Sequence, residues 1–131
     1  MILHERTRHR NHRFGRDGEA AAQAALEQKG LRILHQRFRC RLGEIDLVAR
    51  DGGVIVFVEV KSRRGLGYGQ PAAAVTPQKQ ARMARVALFY LSRHGLLDSP
   101  CRFDVVEVLQ EGRGSLAVRH IPDAFRVWPT G

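Results

Sequence analysis

The chain has 131 residues, of which 22 are Lys or Arg and 13 are Asp or Glu, so its formal net charge is +9. This length predicts one domain whose core needs no disulfide or metal to fold. No apolar run approaches the roughly 20 residues that a membrane span needs, and the amino terminus lacks the apolar stretch of a secretory signal. The basic balance suits a polyanionic partner such as nucleic acid, although an ordinary basic surface would give the same charge.

The amino terminus predicts a basic, disordered arm over residues 1–14, followed by a single domain over residues 15–131. Residues 1–16 hold five Arg and one Glu, and such a polar, charged segment cannot bury enough apolar surface to fold. Its three histidines would lack the fixed geometry of a metal site. As a tail that contacts phosphates, the arm would add affinity without reading sequence.

A helical pattern follows from Asp17 to Lys29, in which alanines and a leucine recur at three- and four-residue spacing. Asp17 is a suitable N-cap, and Gly30 is a suitable residue to end the helix. Glu19 falls in the first turn, where the helix dipole stabilises a negative charge.

Residues 31–41 predict an amphipathic strand that begins near Ile33. Alternate residues of a strand share a face. One face of this strand would be mostly apolar, and the other would be basic, with His35, Arg37, Arg39 and Arg41. Arg37 and Arg39 would therefore lie either on a solvated edge or on a DNA-facing surface, and the pattern does not separate the two.

The next segment predicts a hairpin with strands from Glu44 to Arg50 and from Val54 to Ser62, joined by a turn at residues 51–53. The second strand is rich in β-branched residues and too short for a core helix, which favours a buried central strand. The glycine-rich segment after it, residues 65–70, is interpreted either as a substrate gate or as a plain connector.

Three charged residues of this hairpin are predicted to converge. Glu59 and Lys61 are two residues apart and share a face of the sheet, and Asp46 lies in the preceding strand. Such charges are costly to bury unless they pair with one another or bind a metal. The cluster is therefore either an internal ion cluster or a site for Mg²⁺ or Mn²⁺, with Lys61 stabilising developing negative charge.

The remaining elements complete a mixed α/β pattern. Thr76 and Pro77 predict the start of a helix that ends at Gly95. Residues 101–109 and 116–121 predict two further strands, and residues 121–128 a tail. Cys40 and Cys101 lack CxxC spacing, which favours small buried residues in a reducing cytoplasm.

Several motifs resemble known families. Asp46, followed after twelve residues by Glu59-Val60-Lys61, resembles the D…(D/E)xK pattern of the restriction-endonuclease-like nuclease superfamily. In order, GEIDLVA, FVEVKSR, AVTPQKQ and CRFDVV resemble the bacterial YraN-type, Holliday-junction-resolvase-like proteins, from about Gly15 to Phe125. The resemblance implies a restriction-endonuclease-like α/β sandwich, a mixed central sheet flanked by helices.

The resemblance also implies roles for individual residues. Asp46, Glu59 and the Val60 carbonyl would bind Mg²⁺ or Mn²⁺, and Lys61 would stabilise the transition state or orient water. Glu19 looks like the first-helix acid that joins such sites, as an alternative to its dipole role. The helix after the Glu-x-Lys strand usually begins beside the site in this superfamily, so Lys79 and Gln80 are supporting or phosphate-binding candidates, with a solvated helix face as the alternative. The basic charge, in contrast, makes Arg37, Arg39, Arg63 and Arg64 DNA-binding candidates. Asp104 of the CRFDVV motif is expected to be structural or supporting, without ligating metal itself.

These observations predict a metal-dependent endonuclease that hydrolyses DNA, with branched, Holliday-junction-like structures as one substrate class. The main alternative is a non-catalytic DNA-binding or DNA-processing accessory protein that retains the nuclease fold. An RNA-directed nuclease is a third interpretation, because a phosphodiester site does not identify the sugar. The resemblance further implies a homodimer, since symmetric cuts need two sites.

Overall fold

The computed structural model describes residues 17–64, 75–112 and 114–127, without the side chain of Arg64. The predicted arm, the glycine-rich segment 65–70 and the roles given to Arg64 therefore lie outside the described residues. In chain order the elements are helix α1 (helical residues 17–28), β1 (Arg32–Cys40), β2 (Gly43–Asp51), β3 (Val54–Arg64), helix α2 (Pro77–Arg93), β4 (Cys101–Glu111) and β5 (Ser115–Phe125).

The five strands form one mixed sheet in the order β1-β2-β3-β4-β5. Strands β3 and β4 are parallel and the other neighbours are antiparallel. The parallel pair requires a crossover, and α2 lies in that connection. The fold expected from the resemblance, a mixed central sheet flanked by helices, is therefore confirmed.

Alternation along β3 divides the core between the two faces of the sheet. Ile55 and Phe57 pack with α2, whereas Val56 and Val58 pack with Ala22 and Leu26 of α1. Since neighbouring strand residues point to opposite faces, the two helices cover opposite sides of the sheet. Strand β3 is buried on both faces, as predicted for a central strand.

Helix α2 begins where the sequence predicted, at the capping residue Thr76 and at Pro77. Thr76 is the N-cap, and its hydroxyl accepts a hydrogen bond from the Lys79 N–H at 3.1 Å, while Pro77 occupies the first turn. The buried stripe of the helix consists of Met83, Ala84, Val86, Ala87, Tyr90 and Leu91. This stripe fixes the rotation of α2 over the sheet.

The alternation predicted for β1 is wrong in part. The β1–β2 register shifts between Ile33 and His35, and Arg37 adopts a φ of 50°. His35 consequently lies on the α2 side, where its Nδ1 is 2.8 Å from the Tyr90 hydroxyl. A bulge adds one residue to one strand, so it interrupts the basic stripe that strict alternation predicts.

Strand β5 is longer than predicted, because part of the expected tail continues the ladder to Phe125. The β4–β5 register shifts between Phe103 and Val105, and Asp123 has a φ of 50°. Beyond this irregularity the Phe125 ring stacks on Phe103, with centroids 5.0 Å apart. The strand tolerates Pro122 because it lies at the sheet edge.

Neither helix within the described ranges combines the length and apolar character needed to cross a membrane.

Candidate functional site

Asp46 and Glu59 lie side by side where the β2–β3 ladder opens. The last paired residues at this end are Leu47 and Val58, so Asp46 and Glu59 are the next residues of the two strands. The Val60 N–H donates a hydrogen bond to Asp46 Oδ2 at 2.8 Å. This bond fixes the Asp46 carboxylate against the backbone of β3, beside Glu59.

The Asp46 carboxyl has a strongly perturbed proton affinity. Burial raises its pKa to about 7, and the negative charges of Glu59 and Glu19 act in the same direction, while the Val60 N–H opposes them. Two acids in one partly buried place favour a bound proton or a bound cation over two free charges. The environment of Asp46 is thus suited to a positive ligand.

Glu59 is paired with the first turn of α2. Its side chain is 11% exposed, and its Oε1 accepts a hydrogen bond from Lys79 Nζ at 3.0 Å. The resemblance implied that Lys79 lies near the site, and in the structure its ammonium contacts Glu59, a candidate metal ligand. Gln80, in contrast, donates to the Val75 carbonyl at 2.8 Å, a contact that serves the start of the helix.

Lys61 lies two residues beyond Glu59 on the same strand face. Burial lowers the pKa of its ammonium, and the cations of Arg63 and Lys79 act in the same direction, whereas Glu59 and Glu107 oppose them. The structure therefore places Lys61 within electrostatic reach of Glu59, as the shared parity predicts.

Helix α1 brings Glu19 to the margin of this site. Its Oε2 accepts from Arg37 Nε at 2.8 Å, and its charge contributes to the raised pKa of Asp46. Gly18 allows this approach, because a Cβ at that position would collide with the Ser62 side chain of β3. The sequence left two roles open for Glu19, stabilisation of the helix dipole and participation in the metal site. The structure adds a third, an ion pair with Arg37.

A groove lined by charges of both signs surrounds the carboxylates. It has a volume of about 490 Å³ and is lined by Arg39, Glu44, Asp46, Glu59, Lys79 and Arg82, among others. Arg39 is largely exposed, and its Nε donates to Glu44 Oε2 at 2.8 Å. Because exposed ion pairs are weak, Arg39 can exchange Glu44 for another anion.

Asp104 is held in a hydrogen-bond network, which favours the structural one of the two roles expected for it. It is fully buried and accepts from Arg102, His120 and the Asp123 N–H. Burial raises its pKa, but these hydrogen bonds outweigh burial and hold the pKa below its ordinary value. Asp104 thereby joins β4 to the irregular part of β5.

Glu107 is a member of this region that the sequence interpretation missed. It lies on β4 directly beside Lys61 in the parallel register, and it is 5% exposed. In the sequence, the only indication of Glu107 was an acid within the apolar run FDVVEV. Its position beside Lys61 becomes visible only once the parallel β3–β4 register is known.

Asp46 and Glu59 bring two carboxylate oxygen donors together. Within the described ranges, no three His, Cys, Asp or Glu side chains form a group that could hold a metal ion. Asp46 and Glu59 are two adjacent carboxylates that could hold a cation together with water. Magnesium commonly binds in this way, through one or two carboxylates and several waters.

Comparisons with known proteins place the chain in a family. The model of the Uncharacterised protein family UPF0102 matches residues 18–108. A UPF0102 protein of Symbiobacterium thermophilum is 55% identical over 113 residues, which are 86% of this chain and 96% of that protein. A relative in Geobacter sulfurreducens is 47% identical, over 91% of this chain and 93% of its own length.

Among solved structures, Pyrococcus furiosus SfsA in complex with Ca²⁺ aligns with a TM-score of 0.42 and 17% identity. The alignment covers 85% of this chain and 63% of SfsA, so the chain spans less than two thirds of that protein. The resemblance to YraN-type proteins is confirmed by the family match and the relatives, and the chain belongs to the UPF0102 family.

Proposed function

We propose that this protein is a divalent-cation-dependent endonuclease that hydrolyses DNA phosphodiester bonds. The observation that carries the proposal is the pairing of Asp46 with Glu59 at the open end of the β2–β3 ladder, inside a groove that Arg39, Lys79 and Arg82 also line. Two carboxylates suit Mg²⁺ or Mn²⁺, and the surrounding Arg and Lys side chains suit phosphates.

Each residue has a distinct part in this proposal. Asp46, Glu59 and the Val60 carbonyl would hold the cation, which when bound lowers the pKa of water and neutralises phosphate charge. Lys61 would place its ammonium against the negative charge that develops on phosphorus-bound oxygen. The bond from the attacking water to phosphorus would form as the ester bond opposite to it breaks.

The groove suggests how DNA would be held. Arg39 and Arg82 line the same groove as the carboxylates, and in this proposal they would bind phosphates next to the cleaved bond. Such contacts carry little sequence information. We therefore propose that the shape of the DNA, including branched junctions, determines the substrate, and that sequence has little influence.

One contact favours a second function, that of a non-catalytic DNA-binding accessory protein. The Lys79 ammonium already neutralises Glu59 at 3.0 Å, as in an internal ion cluster. In that case the arginines of the groove would bind DNA while the acids only stabilise the fold.

The test is incubation of the purified protein with Mg²⁺ or Mn²⁺ and a panel of linear, flapped and four-way DNA, with matched RNA and a chelator control. We expect metal-dependent cleavage that Lys61→Ala and Glu59→Gln reduce at least about a hundredfold. The matched control is Glu27→Gln, which removes an exposed acid of α1 and should leave cleavage unchanged.

Three outcomes would change the proposal. Cleavage that survives both Lys61→Ala and Glu59→Gln belongs to another site or to a contaminant. Binding of DNA without any cleavage would establish the accessory role. Preferential cleavage of the RNA panel would reassign the substrate.

A further inference from the structure

Glu107 is a buried acid, and one of its carboxylate oxygens has no hydrogen-bond partner among the described residues. The residue is 5% exposed, and its Oε2 accepts no hydrogen bond in the part of the chain that the structure describes. A buried carboxylate oxygen without a partner costs free energy. A group that keeps such a cost usually has a role beyond packing.

The register puts Glu107 next to Lys61. The two residues are partners in the parallel β3–β4 ladder, and Glu59 lies two residues before Lys61 on β3. Phe103 and Val105, which share the parity of Glu107, pack beneath α2. Glu107 therefore continues the row of β4 residues that borders Glu59 and Lys61.

We propose that Glu107 is a positioning residue of the candidate site, whose carboxylate holds the Lys61 ammonium beside Glu59. This inference rests on the proposed function. A lysine side chain has four rotatable bonds, so fixing its ammonium costs conformational entropy. An ammonium has three N–H donors, and Glu107 presents acceptor capacity to them from the neighbouring strand.

The first test does not depend on cleavage. Urea unfolding is measured for wild type, Glu107→Gln, Lys61→Met and the double variant. We expect the two substitutions to be coupled by about fivefold in the unfolding equilibrium constant. The matched control is Glu111→Gln, which removes an exposed acid from the same strand and should show no coupling to Lys61→Met. Additive effects of Glu107→Gln and Lys61→Met would overturn the proposal.

The second test measures catalysis. We expect Glu107→Gln to lower kcat about tenfold with KM within about twofold, and to have no further effect in the Lys61→Met background. Glu107→Asp, which restores the charge, should recover part of kcat. Coupled unfolding with an unchanged kcat would overturn the positioning role. If wild type cleaves nothing, the proposed function fails, and the unfolding cycle still decides whether Glu107 holds Lys61.

Discussion

Lys79 Nζ lies 3.0 Å from Glu59 Oε1, so the first turn of α2 places an ammonium on a carboxylate that the sequence predicts as a metal ligand. The two side chains differ in exposure, at 45% for Lys79 and 11% for Glu59. Lys79 can therefore swing into solvent while Glu59 remains buried. A divalent cation and the Lys79 ammonium would compete for the same oxygen.

We expect Lys79→Met to raise the Mn²⁺ affinity of the DNA-free protein about three- to tenfold, because the variant removes a competing positive charge next to Glu59. Calorimetric titration with Mn²⁺ measures this affinity. Lys29→Met is the control, since the Lys29 ammonium contacts His120 instead of the site. A lower affinity in Lys79→Met would mean that Lys79 supports the cation and does not compete with it.

The raised pKa of Asp46 predicts how stability depends on pH. Its carboxyl has a pKa of about 7 in the folded protein against 3.8 ordinarily, so between these values the folded state binds more protons than the unfolded state. Stability therefore falls as the pH rises toward 7, and the penalty is complete above it. Asp46→Asn removes the penalty but keeps an oxygen for the Val60 N–H.

We expect the gain in unfolding free energy from Asp46→Asn to be larger at pH 8 than at pH 5 by about 1–3 kcal/mol, after allowance for solvent screening. This gain in unfolding free energy is measured by urea unfolding at pH 5 and at pH 8, without divalent cations. Glu27→Gln, which removes an exposed acid of α1, is the control measured at the same two pH values. An equal gain at both pH values would contradict the assigned environment of Asp46.

Asp104 predicts the opposite dependence. Its pKa is held below the ordinary value of 3.8, so its stabilisation is present above 3.8 and is lost as the pH falls through the lower folded value. We expect Asp104→Asn to cost about 2–4 kcal/mol at pH 7, because it weakens a buried network with Arg102 and His120. Urea unfolding at pH 7 and pH 3 measures the cost, which should shrink at the lower value. A cost below about 0.5 kcal/mol at pH 7 would refute the structural role.

Local signals were enough to predict much of this molecule. Thr76 with Pro77 predicted the start of α2, the β-branched run of β3 predicted a central strand, and Gly30 predicted the end of α1, where its φ is 94°. Each of these depends on residues within one turn or one strand. The parity of Glu59 and Lys61 similarly predicted their shared face.

Features that depend on pairing between distant segments were missed. The bulge between Ile33 and His35 is a property of the β1–β2 register, so the composition of β1 alone could not show it. The extension of β5 to Phe125 depends on the Phe103 ring of another strand. Glu107 became part of the site through the parallel β3–β4 register, which sequence periodicity does not specify.

The last prediction concerns nucleic-acid binding by the groove. We expect Arg39→Ala to weaken binding to DNA about three- to tenfold, because Arg39 borders the carboxylates and would neutralise one phosphate. The same variant should lower the slope of log affinity against log salt by about 1. Fluorescence anisotropy with labelled linear and four-way DNA over a salt series measures both quantities.

Arg126→Ala is the matched control for this prediction. Arg126 is also an exposed arginine in an ion pair, with Asp123 at 2.8 Å, but it lines a different depression beside Phe103 and Phe125. Both variants lose one positive charge, so a general electrostatic effect would weaken binding equally. We expect Arg126→Ala to change affinity less than about twofold, since long-range attraction between exposed charges is screened by salt. Equal losses in the two variants would show that DNA responds only to net charge, and the groove would lose its role as the binding surface.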